Sequence, residues 1–443
     1  MNSQQARATS GYFPDSGDPR YRVRRYELKL DYRPEGNRLV GSARIEAVAA
    51  PGPDRLGEFA LDLAGLRVGR VRVDGRAAQH THRGGRLRIR PAVPPAPGAE
   101  FTVEVRWSGK PQPVRSPWGG IGWEETEDGA LVAAQPVGAP SWFPCNDRPS
   151  DKAAYLISLT VPSGYTVVLG GRLLARAAHA STTTWVYEQP APTPSYLVGL
   201  SIGSYRAVRL DESPAAVPQL GYVPARLAAR FESDFGRQPE MMRLFQELFG
   251  PYPFGEYTVV VVDEELDVPV EAQGLATFGV NHLDGARGWE RLVAHELAHQ
   301  WFGNSVTVAD WQHIWLNEGF AKYAEWLWSE RSGGPAAHTL AEAAHRQLSS
   351  LPQDLVLADP GRRLMFDDRV YQRGGLTVHA LRRVLGDDTF FRLLRDWTDT
   401  HRHSTVTTAD FTAAATRWAG RPLDDFFTAW LTEPALPPLP GGD

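Results

Sequence analysis

Histidines at 295 and 299, in His295-Glu296-Leu297-Ala298-His299, followed after eighteen residues by Glu318, constrain this chain more than any other feature. Positions four apart on a helix project from one face, a turn apart, so both imidazoles reach a common point only if the segment is helical. From Trp289 to Phe302 the chain is apolar at Leu292, Val293, Leu297, Ala298 and Trp301, which places that helix within a core. Glu318 opens a second predicted helix running to about Arg331, with Phe320, Tyr323, Ala324, Leu327 and Trp328 at helical spacing. Any fold must therefore bring the start of the second helix against the histidine face of the first. Two imidazoles and a carboxylate at one point form a ligand set for zinc, at about 2.0–2.1 Å, with a fourth position left for water. Glu296, one step round the helix, falls beside that open position, where it can take a proton from the water. The plainer alternative is a helix with two core histidines and an exposed glutamate. Without a metal, burying those imidazoles unpaired costs on the order of several kcal/mol.

At 443 residues the chain is long enough for two or three domains, and its 42% apolar and 22% charged content is ordinary for a globular protein. A formal net charge of −5 gives no reason to expect nucleic acid or an anionic membrane as partner. No apolar run approaches the roughly 18–20 residues that cross a bilayer. The first 25 residues are polar and lack the apolar centre of a secretory signal, so a cytoplasmic location is the expectation. The single cysteine, Cys145, excludes an internal disulfide and reads either as a small apolar filler or as a reactive thiol.

Organisation changes near residue 210. Before it, alternating segments such as Tyr26–Tyr32, Leu87–Arg90 and Phe101–Trp107 lie between proline and glycine turns, the pattern of antiparallel β structure. After it, helical periodicity dominates, starting with two predicted helices near 224–235 and 239–249. The expected division is an N-terminal antiparallel β domain over residues 1–212 and a mostly helical domain with a small edge sheet over 213–443. Tyr257–Asp263 is a continuous β-branched run, as for a strand buried on both faces. Val268 to Phe278 is expected as one neighbouring strand, and Pro269 puts it at a sheet edge, where an extended peptide can pair with it.

The segments Val293-Ala-His-Glu-Leu-Ala-His-Gln-Trp-Phe-Gly-Asn304 and Trp315-Leu-Asn-Glu-Gly-Phe-Ala321 resemble the aminopeptidase N family of zinc gluzincins. Trp142-Phe-Pro-Cys-Asn-Asp-Arg-Pro149, Pro194-Ser-Tyr-Leu-Val198 and Phe249-Gly-Pro-Tyr-Pro-Phe254 extend the resemblance over most of the chain. It implies an α+β fold: an N-terminal antiparallel β saddle, then a thermolysin-like catalytic domain. It also implies a substrate class, peptides with a free amino terminus. Longer family members continue into a large helical domain, which this chain is expected to lack; oligomeric state is not readable.

The resemblance further implies roles for particular residues. Gly274-Leu-Ala-Thr-Phe278 is similar to the family's Gly-Leu-x-Thr-Tyr segment, and counting back from Gly274 sets Val268–Ala272 on the family's Gly-x-Met-Glu-Asn. On that register Glu271 is the glutamate that binds the substrate's α-amino group, while the glycine, methionine and asparagine are replaced. The alternative is an edge-strand glutamate in water. Gln135, ten residues before Cys145, matches a second amine contact or is a surface residue without a role. Val370-Tyr-Gln-Arg-Gly374 resembles a Tyr-x-Lys-Gly segment with arginine for lysine, making Tyr371 the donor to the developing oxyanion or else a packing residue at the start of a helix over 374–384. Glu325 resembles a family acidic residue that accepts the second imidazole hydrogen of a ligand histidine.

The function expected is a zinc-dependent aminopeptidase with Glu296 as general base. The rival within the class is a thermolysin-like endopeptidase. A zinc hydrolase of the epoxide-opening type and a binding protein with a retired zinc site are the readings from other classes.

Overall fold

The computed structural model describes residues 11–210, 213 and 216–441. Residue 212, where the expected domain boundary falls, lies outside them. The described residues cluster into two units. One takes in the chain up to residue 209 together with 218–228 and 254–280; the other holds 229–253 and everything from 281.

The first unit is built of sheets. Its largest has eight strands, with Tyr21–Arg33 at the centre, antiparallel to Arg38–Ala49 and parallel to Lys152–Pro162. Burial alternates along Tyr21–Arg33, as period-2 side chains require when one face meets the core and the other meets water. Aromatic residues dominate the inward face: Tyr26 stacks on Tyr155 at 4.8 Å and meets Phe143 edge-on at 5.7 Å. The Phe-Pro-Cys-Asn-Asp turn ties into this core. Cys145 exchanges backbone hydrogen bonds with Asp62, and the Asn146 N–H donates to the Tyr26 hydroxyl at 3.0 Å. Cys145 is fully buried and burial pushes its thiol well above the ordinary range, so it packs as a filler.

A five-stranded sheet in the same unit carries the β-branched run as Tyr257–Val262, with every residue buried. The single neighbouring strand expected over 268–278 is instead two, Val270–Ala272 and Leu275–Gly279, paired antiparallel. Gly274, at φ +73°, makes that reversal, a backbone conformation in which a side chain is strained. Leu275–Gly279 runs parallel to Tyr257–Val262, and Val270–Ala272 forms the sheet edge next to Pro269. Periodicity does not reveal the reversal, because Val268–Phe278 has no polar turn cluster to mark it.

The second unit is mainly helical. The sequence helices near 224–235 and 239–249 appear as Ala228–Phe235 and Gln238–Phe249. The motif helix is Glu290–Ala298, with His299 at its C-cap. The second ligand helix, Trp315–Arg331, begins three residues before Glu318, and its buried residues surround it on nearly all sides, the mark of a core helix. Tyr371 does not precede a helix: it sits in the first turn of Asp368–Leu385, whose N-terminus Asp367 caps by accepting the Arg369 N–H at 3.0 Å. Such a cap is worth about 1 kcal/mol.

Candidate metal centre

The motif helix and the ligand helix pack antiparallel. At one end Trp328 donates from its indole to Glu290 at 3.1 Å; at the other His299 faces Glu318. Between these, His295 Nδ1 bonds Glu325 Oε1 at 2.8 Å. This register sets one carboxylate of the ligand helix against the outer nitrogen of His295 and another against the inner nitrogens of both histidines.

The inner nitrogens converge. His295 Nε2 is 3.5 Å and His299 Nε2 3.4 Å from Glu318 Oε2, and one ligand atom from each of the three residues lies within 4.8 Å of the others. Four-coordinate zinc with bonds of about 2.0–2.1 Å places its ligand atoms about 3.3 Å apart. The cluster has that spacing. Both outer nitrogens are already engaged, His295 Nδ1 by Glu325 and His299 Nδ1 by the Phe302 carbonyl at 3.1 Å, so each ring presents Nε2 inward. Donor chemistry, spacing and tautomer all suit a zinc ion.

Electrostatics point the same way. His295, His299 and Glu318 are 6%, 1% and 2% exposed. Burial by itself lowers the pKa of His295, but hydrogen bonds to Glu318 and Glu325 outweigh it and hold the ring above its ordinary value. Burial raises Glu318, yet the charge of His299 and bonds from both rings keep it below the usual carboxylate range. The pocket thus favours positive charge at the point where the three side chains meet, a preference that a divalent cation would satisfy. Glu325 is likewise held ionised against its burial, by His295, by Lys322 Nζ at 3.0 Å and by Arg291 at 3.6 Å.

Glu296 is 4% exposed, unlike the exposed glutamate of the metal-free alternative. The Tyr371 ring lies alongside that of His295, with centroids 6.1 Å apart and planes inclined by 24°. In the β unit, Glu271 is 8% exposed on the edge strand and accepts a hydrogen bond from Gln135 Nε2 at 2.7 Å. These two residues, separated by 136 positions, are hydrogen-bond partners. Gly274 turns the chain just beyond them.

A model of the Peptidase family M1 domain matches residues 234–430, and one of the Peptidase M1 N-terminal domain matches 123–197, together more than half of the chain. The chain belongs to peptidase family M1. Among M1 relatives, aminopeptidase M1-B of Oryza sativa subsp. japonica is 27% identical over 71% of this chain and 38% of its own length. A leucyl aminopeptidase of Saccharolobus solfataricus is 23% identical over 94% of this chain and 54% of its own. The chain thus spans from about two fifths to about half of these curated relatives. Among solved structures, an M1 zinc metallopeptidase from Deinococcus radiodurans superposes with a TM-score of 0.89 at 29% identity, covering 98% of this chain and 99% of that one. A variant of it is described with a Tyr-Ser-Ala substrate bound. Yeast LTA4 hydrolase, at 21% identity and a TM-score of 0.84, shares the fold.

Sequence reasoning did not find the supports around these residues: Lys322 and Arg291 behind Glu325, the backbone contact of Gly319 with Gly374, and Arg373. Lys322 and Arg291 lie outside the motif segments; Gly319, Arg373 and Gly374 lie within them, but the groups they meet are distant in sequence.

Proposed function

We propose that this protein is a zinc aminopeptidase that hydrolyses the first peptide bond of peptides with a free amino terminus. The observation that carries the reading is the convergence of His295 Nε2, His299 Nε2 and Glu318 Oε2 at zinc spacing, with a buried glutamate next to His295 in the chain.

His295, His299 and Glu318 would hold a zinc ion, which when bound would supply polarisation of the scissile carbonyl and acidification of a water. Glu296 accepts the proton of that water as it attacks, then delivers it to the leaving amine. Tyr371 donates its phenolic hydrogen to the oxygen on which negative charge develops, without itself being charged at neutral pH. Glu325 holds His295 in the tautomer that presents Nε2. Glu271 accepts hydrogen bonds from the substrate's ammonium, and Gln135, bonded to Glu271, fixes that carboxylate or adds its own carbonyl oxygen as an acceptor. Gly274 keeps the edge strand in place. This makes residues 213–443 the catalytic part and 1–212 the β domain that contributes Gln135, although compactness groups 254–280 with the β strands.

Among the described residues no helix is long and apolar enough to cross a membrane. A cytoplasmic setting belongs to the same reading, supported by a fold that uses no disulfide.

Zinc content measured together with hydrolysis of amino-acid amide fluorophores tests this reading. Chelator-sensitive cleavage of free but not amino-blocked substrates is expected. Equal cleavage of blocked peptides replaces it with the endopeptidase reading, and zinc without cleavage of either removes the peptidase assignment.

A further inference from the structure

Arg373 is 3% exposed and sits two residues after Tyr371 on the helix Asp368–Leu385. Its guanidinium donates to six backbone carbonyls. Nε reaches Trp430 at 3.0 Å, Nη1 reaches Leu355 at 3.2 Å and also Pro434, and Nη2 reaches Ala429 at 3.1 Å, Ala435 at 3.2 Å and also Glu433. A guanidinium has five N–H donors, so six acceptors use them all and at least one hydrogen is shared. Burial lowers the pKa of Arg373 to about 10, with the Glu433 charge opposing, which leaves the cation intact at neutral pH.

A buried cation compensated by carbonyl dipoles holds its position closely, because any shift strands a donor away from water. Five of the six carbonyls come from one stretch, 429–435, which wraps the guanidinium over the end of the chain's last helical turns. The residue after Arg373, Gly374, is in backbone contact with Gly319, the neighbour of ligand Glu318. The first turns of the Tyr371 helix are therefore fixed at two successive residues, one by the 429–435 segment and one by the ligand helix.

We propose that Arg373 is a positioning residue for Tyr371: through its carbonyl cage the 429–435 segment fixes the helix turn that aims the phenol beside the metal ligands. The proposal rests on the reading of Tyr371 as oxyanion donor. The lysine of the resembling Tyr-x-Lys-Gly segment would satisfy fewer of these acceptors, since an ammonium offers three donors on a flexible stem and leaves carbonyls of this cage unbonded. A displacement of about 1 Å in a catalytic group costs up to about 100-fold in rate.

The test is a double-mutant cycle with Tyr371→Phe and Arg373→Lys on the full chain, reading kcat, KM and zinc content. Tyr371→Phe is expected to lower kcat about 100-fold or more. Arg373→Lys is expected to lower it about tenfold, with KM within about twofold and zinc unchanged, and the double variant is expected to match Tyr371→Phe alone. A wild-type kcat for Tyr371→Phe overturns the oxyanion reading and the proposal with it, whatever Arg373 does. If Tyr371→Phe is slow but the two effects multiply, or Arg373→Lys is as fast as wild type, or its loss tracks zinc loss, the oxyanion reading stands and the positioning role falls. Should Arg373→Lys fail to fold, Pro434→Gly, which loosens the 429–435 segment while keeping Arg373 and all six carbonyls, takes its place in the same cycle, with the same outcomes deciding.

Discussion

Gly319 and Gly374 meet backbone to backbone: a methyl group on Gly374 would lie 2.6 Å from the Gly319 Cα, and one on Gly319 would lie 2.8 Å from the Gly374 Cα. Neither side has a flexible side chain to yield, so the two helices would have to separate. Because Gly319 follows Glu318, the proposed third zinc ligand, helix separation would be felt at the metal site. Gly374→Ala is expected to cost about 1–3 kcal/mol by overpacking, and to weaken zinc binding. Chemical denaturation and zinc titration of the variant check both; unchanged zinc affinity would show that the ligand helix is held elsewhere.

Glu325 orients His295 and is kept ionised by Lys322 and Arg291. Glu325→Gln retains the shape and removes the charge, so zinc affinity should fall about 10–100-fold. Competition with a chromophoric chelator measures this directly. Lys322→Met should show a smaller change in the same direction.

Glu271, which accepts a hydrogen bond from Gln135, is the proposed acceptor for the substrate's ammonium. Glu271→Ala should lower kcat/KM on free amino-acid amides by about 100-fold or more, on the order of 3 kcal/mol for a lost charge-assisted contact. Amino-blocked substrates should lose nothing or gain. Equal losses on both would point to general damage and remove the gating role. Gln135→Ala should produce a weaker version of the same selectivity change.

His379 links three helices: its Nε2 is 3.1 Å from His338 Nδ1 and its Nδ1 is 3.3 Å from the Tyr323 hydroxyl. Burial, then the charges of His338, Arg382 and Arg383, lower its pKa from 6.5 to about 4, with Asp387 opposing. Between these values the unfolded chain binds more protons than the native one, so stability rises with pH there and is lost as pH falls from 6.5 towards 4. The full shift corresponds to about 3 kcal/mol as an upper bound. Denaturant titrations at pH 7.5 and 5 should show the helical unit weakened at the lower pH, and His379→Gln should flatten the difference.

The convergence of His295, His299 and Glu318 was legible in the sequence because helical geometry converts spacing into direction. A spacing of four positions from His295 to His299 suffices to fix a shared face, and Glu318 at the start of another core helix is the natural complement. The β domain was legible for the same reason, since alternation along Tyr21–Arg33 states which face is buried. Resemblance added Glu271 and Gln135 one at a time.

Their hydrogen bond was decided only by the fold, as were the edge hairpin turned at Gly274 and the start of the Tyr371 helix at Asp368. So too were the Gly319–Gly374 contact and the carbonyl cage of Arg373, which pair residues tens of positions apart. Local sequence encodes which way a side chain points, because backbone periodicity is a short-range property. Which distant group it meets depends on how helices and strands pack, and that is settled by the whole core at once.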